Sequence, residues 1–154
     1  MSLHIHKARS HDAEALTNVL KDLGWFAHLN AESDEVSQAR IAQHLALCNA
    51  DNSHSIYVAE LEETVVGYIA VHWLPYLFLP GPEGYVSELF VKEVARGQGI
   101  GTQLLEAVKA EAKARGCFRL RLINGRDRES YKRKFYQSQG WTEREDTASF
   151  VYIL

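Results

Sequence analysis

The stretch from Tyr85 to Arg115 constrains this chain more than any other. A β-rich apolar run ends at Lys92, three glycines follow at alternate positions (Gly97, Gly99, Gly101), and a long amphipathic helix opens with no spacer. Ile100, Leu104, Leu105, Val108 and Ala112 recur at helical spacing, Glu111 and Arg115 pair four apart on the other side, and Gly116 supplies the stop. A strand that feeds a glycine-rich turn into a helix sets backbone N–H groups, unobstructed by Cβ atoms, at the positive end of a helix dipole. That arrangement suits a phosphate or pyrophosphate. A dinucleotide fold wants G-x-G-x-x-G and an acid after the next strand, whereas this spacing is G-x-G-x-G and the next strand ends at Asn124. A P-loop wants a lysine that is absent. A tight turn that holds no ligand is the plain alternative.

The segments around this unit alternate strand and helix. Leu3 to Ala8 alternates apolar and polar residues as a strand, and Ser10 reads as the cap of a helix running to Leu23 and ended by Gly24. An aromatic and acidic linker spans Trp25 to Ser33, and a second helix runs from Asp34 to about Asn49 on a loosely apolar face. Ser55 to Leu61 and Thr64 to Leu74 flank Glu62-Glu63 as a hairpin, and Leu74 to Gly84 holds all the prolines and reads as a loop. Beyond the central helix, Cys117 to Ile123 is a strand, Arg128 to Gln139 a helix stopped by Gly140, and Ser149 to Leu154 a final strand. These elements predict one α/β domain over residues 1–154, with helices around a mixed sheet.

Composition narrows the chemistry. Cys48 and Cys117 are too few for a disulfide framework or a four-ligand zinc site, so no metal is expected. No apolar run reaches membrane-spanning length, and Met1 to Arg9 does not resemble a secretory signal, so a cytoplasmic protein without a membrane partner is expected. The net charge of −3 hides an asymmetry. Residues 1–60 carry four Lys or Arg against eight Asp or Glu, while residues 115–134 carry eight Lys or Arg against Asp127 and Glu129. The basic run can be a solvated face, a nucleic-acid contact or a field that draws an anionic ligand.

Two motifs decide among these readings. Arg96-x-x-Gly99-x-Gly101 resembles the acyl-coenzyme A signature Q/R-x-x-G-x-G/A of the GNAT superfamily of N-acetyltransferases, and Ser87 to Val91 is similar to the strand that precedes it there. Phe135-Tyr136-Gln137-Ser138-Gln139-Gly140-Trp141 is similar to the second signature, F-Y-x-x-x-G-F/Y/W, and follows in the right order with a helix and a strand between. The chain departs from the pattern at Glu129 and Lys132, where many members carry Asn and Ala.

The resemblance implies a mostly antiparallel central sheet whose middle strands splay, and transfer of acetyl from acetyl-CoA to a primary amine in a ternary complex. It assigns the coenzyme to Leu89, Phe90 and Val91, to Arg96, Gly97, Gln98, Gly99, Ile100, Gly101 and Thr102, and to Asn124. The Val91 amide becomes the donor to the thioester carbonyl. Tyr136 falls at the general-acid position, its plain alternative being a packed aromatic. Glu88 is the candidate base, or else a carboxylate that binds the cationic substrate or pairs with an arginine. His28 and His72 are reserve bases. Trp25, Phe26, Tyr76 and Phe78 offer walls to the amine, and Glu32, Asp34, Glu35 and Glu83 offer negative charge. A non-catalytic acyl-CoA sensor is the rival function. The expected partners are an amine acceptor and a second copy of the chain, but not nucleic acid.

Overall fold

The computed structural model describes residues 2–154, which form two compact units, one extending through Leu122 and the other from Ile123 to Leu154. The first is built on a sheet of five strands in sequence order: β1 (Leu3–Lys7), β2 (His54–Leu61), β3 (Thr64–Leu74), β4 (Glu83–Val91) and β5 (Arg119–Leu122). β1 to β4 pair antiparallel as a meander, and β5 joins β4 in parallel. Parallel neighbours need a crossover, and α4 (Ile100–Ala114) supplies it. The loop expected before β4 gives way two residues early, because Glu83 and Gly84 already pair with β5.

Helices cover the sheet. α1 (Ala13–Leu23) starts one turn later than expected: Ser10–Asp12 forms a short tight turn, and the Asp12 carboxylate accepts the Arg9 amide at 2.7 Å. Gly24 ends α1 at φ +71°. The linker is partly ordered as α2 (Ala27–Ala31), and Ser33 caps α3 (Asp34–Asn49) by accepting the Val36 amide. Leu16, Val19 and Leu45 bury against Val58, Val65 and Tyr68 of the sheet, while Leu104, Leu105 and Val108 of α4 are fully buried. Truncating any of these leucines to alanine costs about 2–5 kcal/mol. α4 is also tied by polar contacts: Glu111 accepts from Ser55 Oγ (2.9 Å), Tyr57 OH (2.6 Å) and Arg115 Nε (2.8 Å).

The second unit differs from expectation in two places. The predicted helix from Arg128 to Gln139 is broken into α5 (Glu129–Lys132) and a short tight turn at Gln137–Gln139. Lys134 lies between them at φ +57°, a left-handed conformation that α-helical geometry cannot carry. Ser149 to Leu154 forms no strand, and Phe150 to Leu154 are exposed. A β-prone apolar run forms a strand only where a neighbour completes the hydrogen-bond ladder.

Candidate active site

The site begins with an irregularity in β4. Val86 pairs with Val71 and Glu88 with Ala70, so Ser87 is an extra residue, a β-bulge that shifts the alternation of the strand by one. Before it, even-numbered residues point their backbone groups toward β5, as the Pro82 carbonyl does in accepting the Phe118 amide at 2.8 Å. After it, even-numbered residues point toward β3, as the Lys92 amide does in reaching the Val66 carbonyl at 2.8 Å. Alternation therefore aims the N–H and C=O groups of Leu89 and Val91 away from β3. Pairing with β5 stops at Val86 and Leu122, so along Leu89 to Val91 the ladder has opened. Of the splay that the resemblance implies, the sheet shows this end of pairing, where β5 itself stops at Leu122. Arg96 turns back to donate from Nε to the Val91 carbonyl at 3.0 Å, and its guanidinium lies 5.8 Å from the centre of the Trp25 ring.

A tight turn at Glu93–Ala95 leads to the glycines. Gly97 and Gly99 adopt φ of +78° and +79°, values that side-chain-bearing residues rarely take, and no atom lies within 4 Å of where a Cβ would project. Backbone conformation, not crowding, is therefore what requires glycine here. Gly99 is the N-cap of α4, and Ile100 and Gly101 open its first turn, where N–H groups have no carbonyl a turn earlier to meet. No acid lies in that turn, in contrast to α3, whose first turn holds Asp34 and Glu35. The positive pole of α4 is thus left uncompensated by side chains, which fits a phosphorylated ligand. Gln98 and Thr102 flank this pole.

On the face of the sheet that carries α1 and α3, a cleft of about 330 Å³ opens between these helices, α2 and the strands. Glu88 lines it together with Tyr68, Cys48, His28 and His44. Tyr68 donates to Glu88 Oε1 at 2.8 Å, and Glu88 Oε2 has no hydrogen-bond partner among the described residues. Burial and the Glu88 charge push the Tyr68 phenol far above its ordinary pKa, so it stays a donor at any working pH. Burial, and then the same charge, raise the Cys48 thiol, which keeps it protonated and a poor nucleophile. Phe26 and Phe90 meet edge to face at 5.7 Å, as do Trp25 and Phe90.

Several predicted substrate residues are engaged elsewhere. Glu32 is held by Arg40 through both carboxylate oxygens and by Ser37 at 2.7 Å, so its pKa falls to about 2. Asp34 takes Lys21 Nζ at 2.8 Å. Glu83 is fully buried between Arg119 (2.6 Å) and Arg121 (3.1 Å) and acts as a structural anion at the strand end. Arg121 also donates to Tyr76 OH at 3.3 Å, and neither Tyr76 nor Phe78 lines the cleft. His72 lies outside the lining too. Its Nε2 meets Ser87 Oγ at 2.7 Å, its ring packs 4.6 Å from His54, and burial with that neighbour lowers its pKa.

In the second unit Tyr136 packs between Phe135 (ring centres 5.0 Å apart) and Trp141 (5.9 Å). Burial pushes its pKa up to about 12. Asn124 donates from Nδ2 to Ser130 Oγ at 3.0 Å. The residue that sequence reasoning missed is Tyr68. Its partnership with Glu88 depends on the bulge, because only the shifted register brings Glu88 and Tyr68 onto one face. His44 was missed as well, on a helix whose apolar periodicity is weak.

The comparisons agree with this architecture. The acetyltransferase (GNAT) family profile matches residues 18–141. Over 164 aligned residues, covering 98% of this chain and 92% of the relative, the sequence is 26% identical to the mouse (Mus musculus) thialysine N-epsilon-acetyltransferase. A structure described as a transcriptional regulator from Bacillus halodurans superposes with a TM-score of 0.85 at 24% identity, covering 98% of this chain and all of that one. An aminoglycoside acetyltransferase from an uncultured soil metagenomic sample superposes at 0.78 and 22% identity, covering 99% and 96%. No helix among the described residues is long and apolar enough to cross a membrane. A match over most of the chain, on the fold and around the glycine turn described above, makes this protein a member of the GNAT family of acetyltransferases.

Proposed function

We propose that the chain acts as one acetyltransferase domain that moves an acetyl group from acetyl-CoA to a primary amine held in the cleft beside Glu88. The observation that carries this reading is the division of labour on β4: the backbone groups of Leu89 and the Val91 N–H point away from β3 toward a donor, while the Glu88 side chain lines the acceptor cleft. The glycine turn fits the coenzyme's phosphates by its left-handed glycines and its uncompensated helix pole. Gly97 to Thr102 would hold the pyrophosphate, with Arg96 as a further contact, and Leu89 to Val91 would pair with the pantetheine arm. The coenzyme, when bound, supplies an activated acyl thioester.

The chain's own residues handle the protons. Glu88 accepts one from the incoming ammonium, directly or through water, so that nitrogen regains its lone pair and attacks the acyl carbon. The Val91 N–H donates to the carbonyl oxygen as charge grows there, a contact of the kind whose removal elsewhere costs roughly 2.7–4 kcal/mol. As the carbon–sulfur bond breaks, the departing thiolate takes up a proton, a role that the resemblance assigns to Tyr136. A phenol raised to about 12 is fully protonated at neutral pH and so available as an acid. Transfer on this reading is direct, within a ternary complex, and forms no acyl-enzyme.

A thiol-release assay with acetyl-CoA over a panel of primary amines tests this. Amine-dependent release is expected. Tight coenzyme binding with no turnover on any amine would instead indicate a sensor.

A further inference from the structure

The polar groups of the cleft also limit what kind of amine can occupy it, an inference that rests on the transfer reading above. Glu88 is the one carboxylate among the described residues that line it. Glu32 is paired with Arg40, Asp34 with Lys21, and Glu83 is buried between two arginines, so of these acids Glu88 alone presents its charge at this cleft. The rest of the wall is dominated by Leu16, Leu20, Phe26, Leu29, Ile41 and Leu45. Arg40, the permanent cation of the lining, already has both of its terminal nitrogens on Glu32.

We infer that the acceptor is a monocationic primary amine with an apolar body, of the alkylamine or arylalkylamine class. One ammonium meets one carboxylate at Glu88, and the carbon skeleton lies against the leucine and isoleucine wall. A polyamine or an aminoglycoside would set further ammonium groups against a wall that offers them no second carboxylate, so each would give up water for apolar contacts without gaining an ion pair. An amino acid would bring a carboxylate whose natural partner, Arg40, is occupied. This sets the chain apart in acceptor from the thialysine-acetylating relative it resembles over most of its length.

The test is kcat/KM for thiol release at saturating acetyl-CoA with n-hexylamine and 2-phenylethylamine against spermidine, L-lysine and kanamycin. Calorimetric titration of the same amines runs alongside, reading binding apart from catalysis. Hexylamine is expected to exceed spermidine by at least about tenfold, and to exceed n-butylamine as well, since each methylene in an apolar pocket is worth about 10–200-fold. Ile41→Glu and Leu20→Glu, two partly exposed wall positions, are each expected to narrow or invert the hexylamine-to-spermidine ratio, with folding checked by melting. Spermidine, lysine or kanamycin matching hexylamine in both turnover and binding overturns the apolar-monoamine assignment while leaving acetyl transfer intact. No turnover with any amine sinks the transfer reading, and the calorimetric order then still decides the ligand class.

Discussion

Glu88→Gln is the most informative single change, because Gln keeps the shape of the side chain and a carbonyl oxygen for Tyr68 to reach while removing the charge. A primary ammonium has a pKa near 10.4, so at pH 7.4 about one substrate molecule in 10³ is the free amine. With Glu88 gone and neither His28 nor His44 taking over its role, only that fraction reacts. kcat/KM should therefore fall by up to about 10³-fold at pH 7.4, within the 10²–10⁴ range of general base catalysis. The sign and slope follow from the same equilibrium. Each pH unit multiplies the free amine tenfold, so the variant should recover about tenfold per unit and converge on the wild type near pH 10. The assay is thiol release from saturating acetyl-CoA between pH 6.5 and 10, with n-hexylamine as acceptor. A deficit of constant size across that range would mean that Glu88 binds the cation and takes no proton from it. An unchanged rate at pH 7.4 would remove Glu88 from the chemistry altogether.

Tyr136→Phe should lower kcat by about 10–10³-fold with coenzyme affinity nearly unchanged, as general acid loss does, and an unaltered kcat would leave Tyr136 as a packed ring. Gly99→Val places a β-branched residue at φ +79°, where strain of roughly 1–3 kcal/mol accumulates, and it sets a side chain into the open space of the turn. Calorimetry should show coenzyme binding lost, and normal affinity would locate the phosphates elsewhere. Glu32, whose folded pKa of about 2 lies below its ordinary 4.5, stabilises the fold fully above pH 4.5 and loses that contribution as pH falls toward 2. Thermal melts over that interval should decline more steeply for the wild type than for Glu32→Gln, and parallel curves would show that the Arg40 pairing adds nothing.

Much of this architecture could be read from the chain because its signals are local. A strand, alternate glycines and a periodic helix specify their own geometry within about thirty residues of sequence, and Gly24 and Gly116 end their helices with the left-handed turns expected of them. What escaped were features set by distant partners. Lys134 breaks the second unit's helix with a conformation that lysine does not advertise. Ser149 to Leu154 is a β-prone apolar run, but such a run does not create a neighbouring strand. The acids offered to the amine looked available because their count was visible and their partners were not. Arg40, Lys21, Arg119 and Arg121 claim three of them across separations of 8 to 38 residues. Tyr68 and Glu88 meet only because β4 contains a residue that β3 does not match.

That unmatched residue has a consequence for anyone altering the strand. Counted in twos from Glu83, a regular strand would send the side chain at position 88 to the α4 side of the sheet, into the packing of Leu104 and Leu105, and would turn the Leu89 and Val91 amides back into the ladder with β3. One odd step at Ser87 does both jobs at once: it changes the face of the acid and frees the edge beyond it. On the proposed reading the two substrate sides are set by parity, and a one-residue insertion or deletion between Gly84 and Ser87 is a more drastic edit than most substitutions in the cleft. Transplanting this strand into another sheet would carry the chemistry only if the odd residue travelled with it.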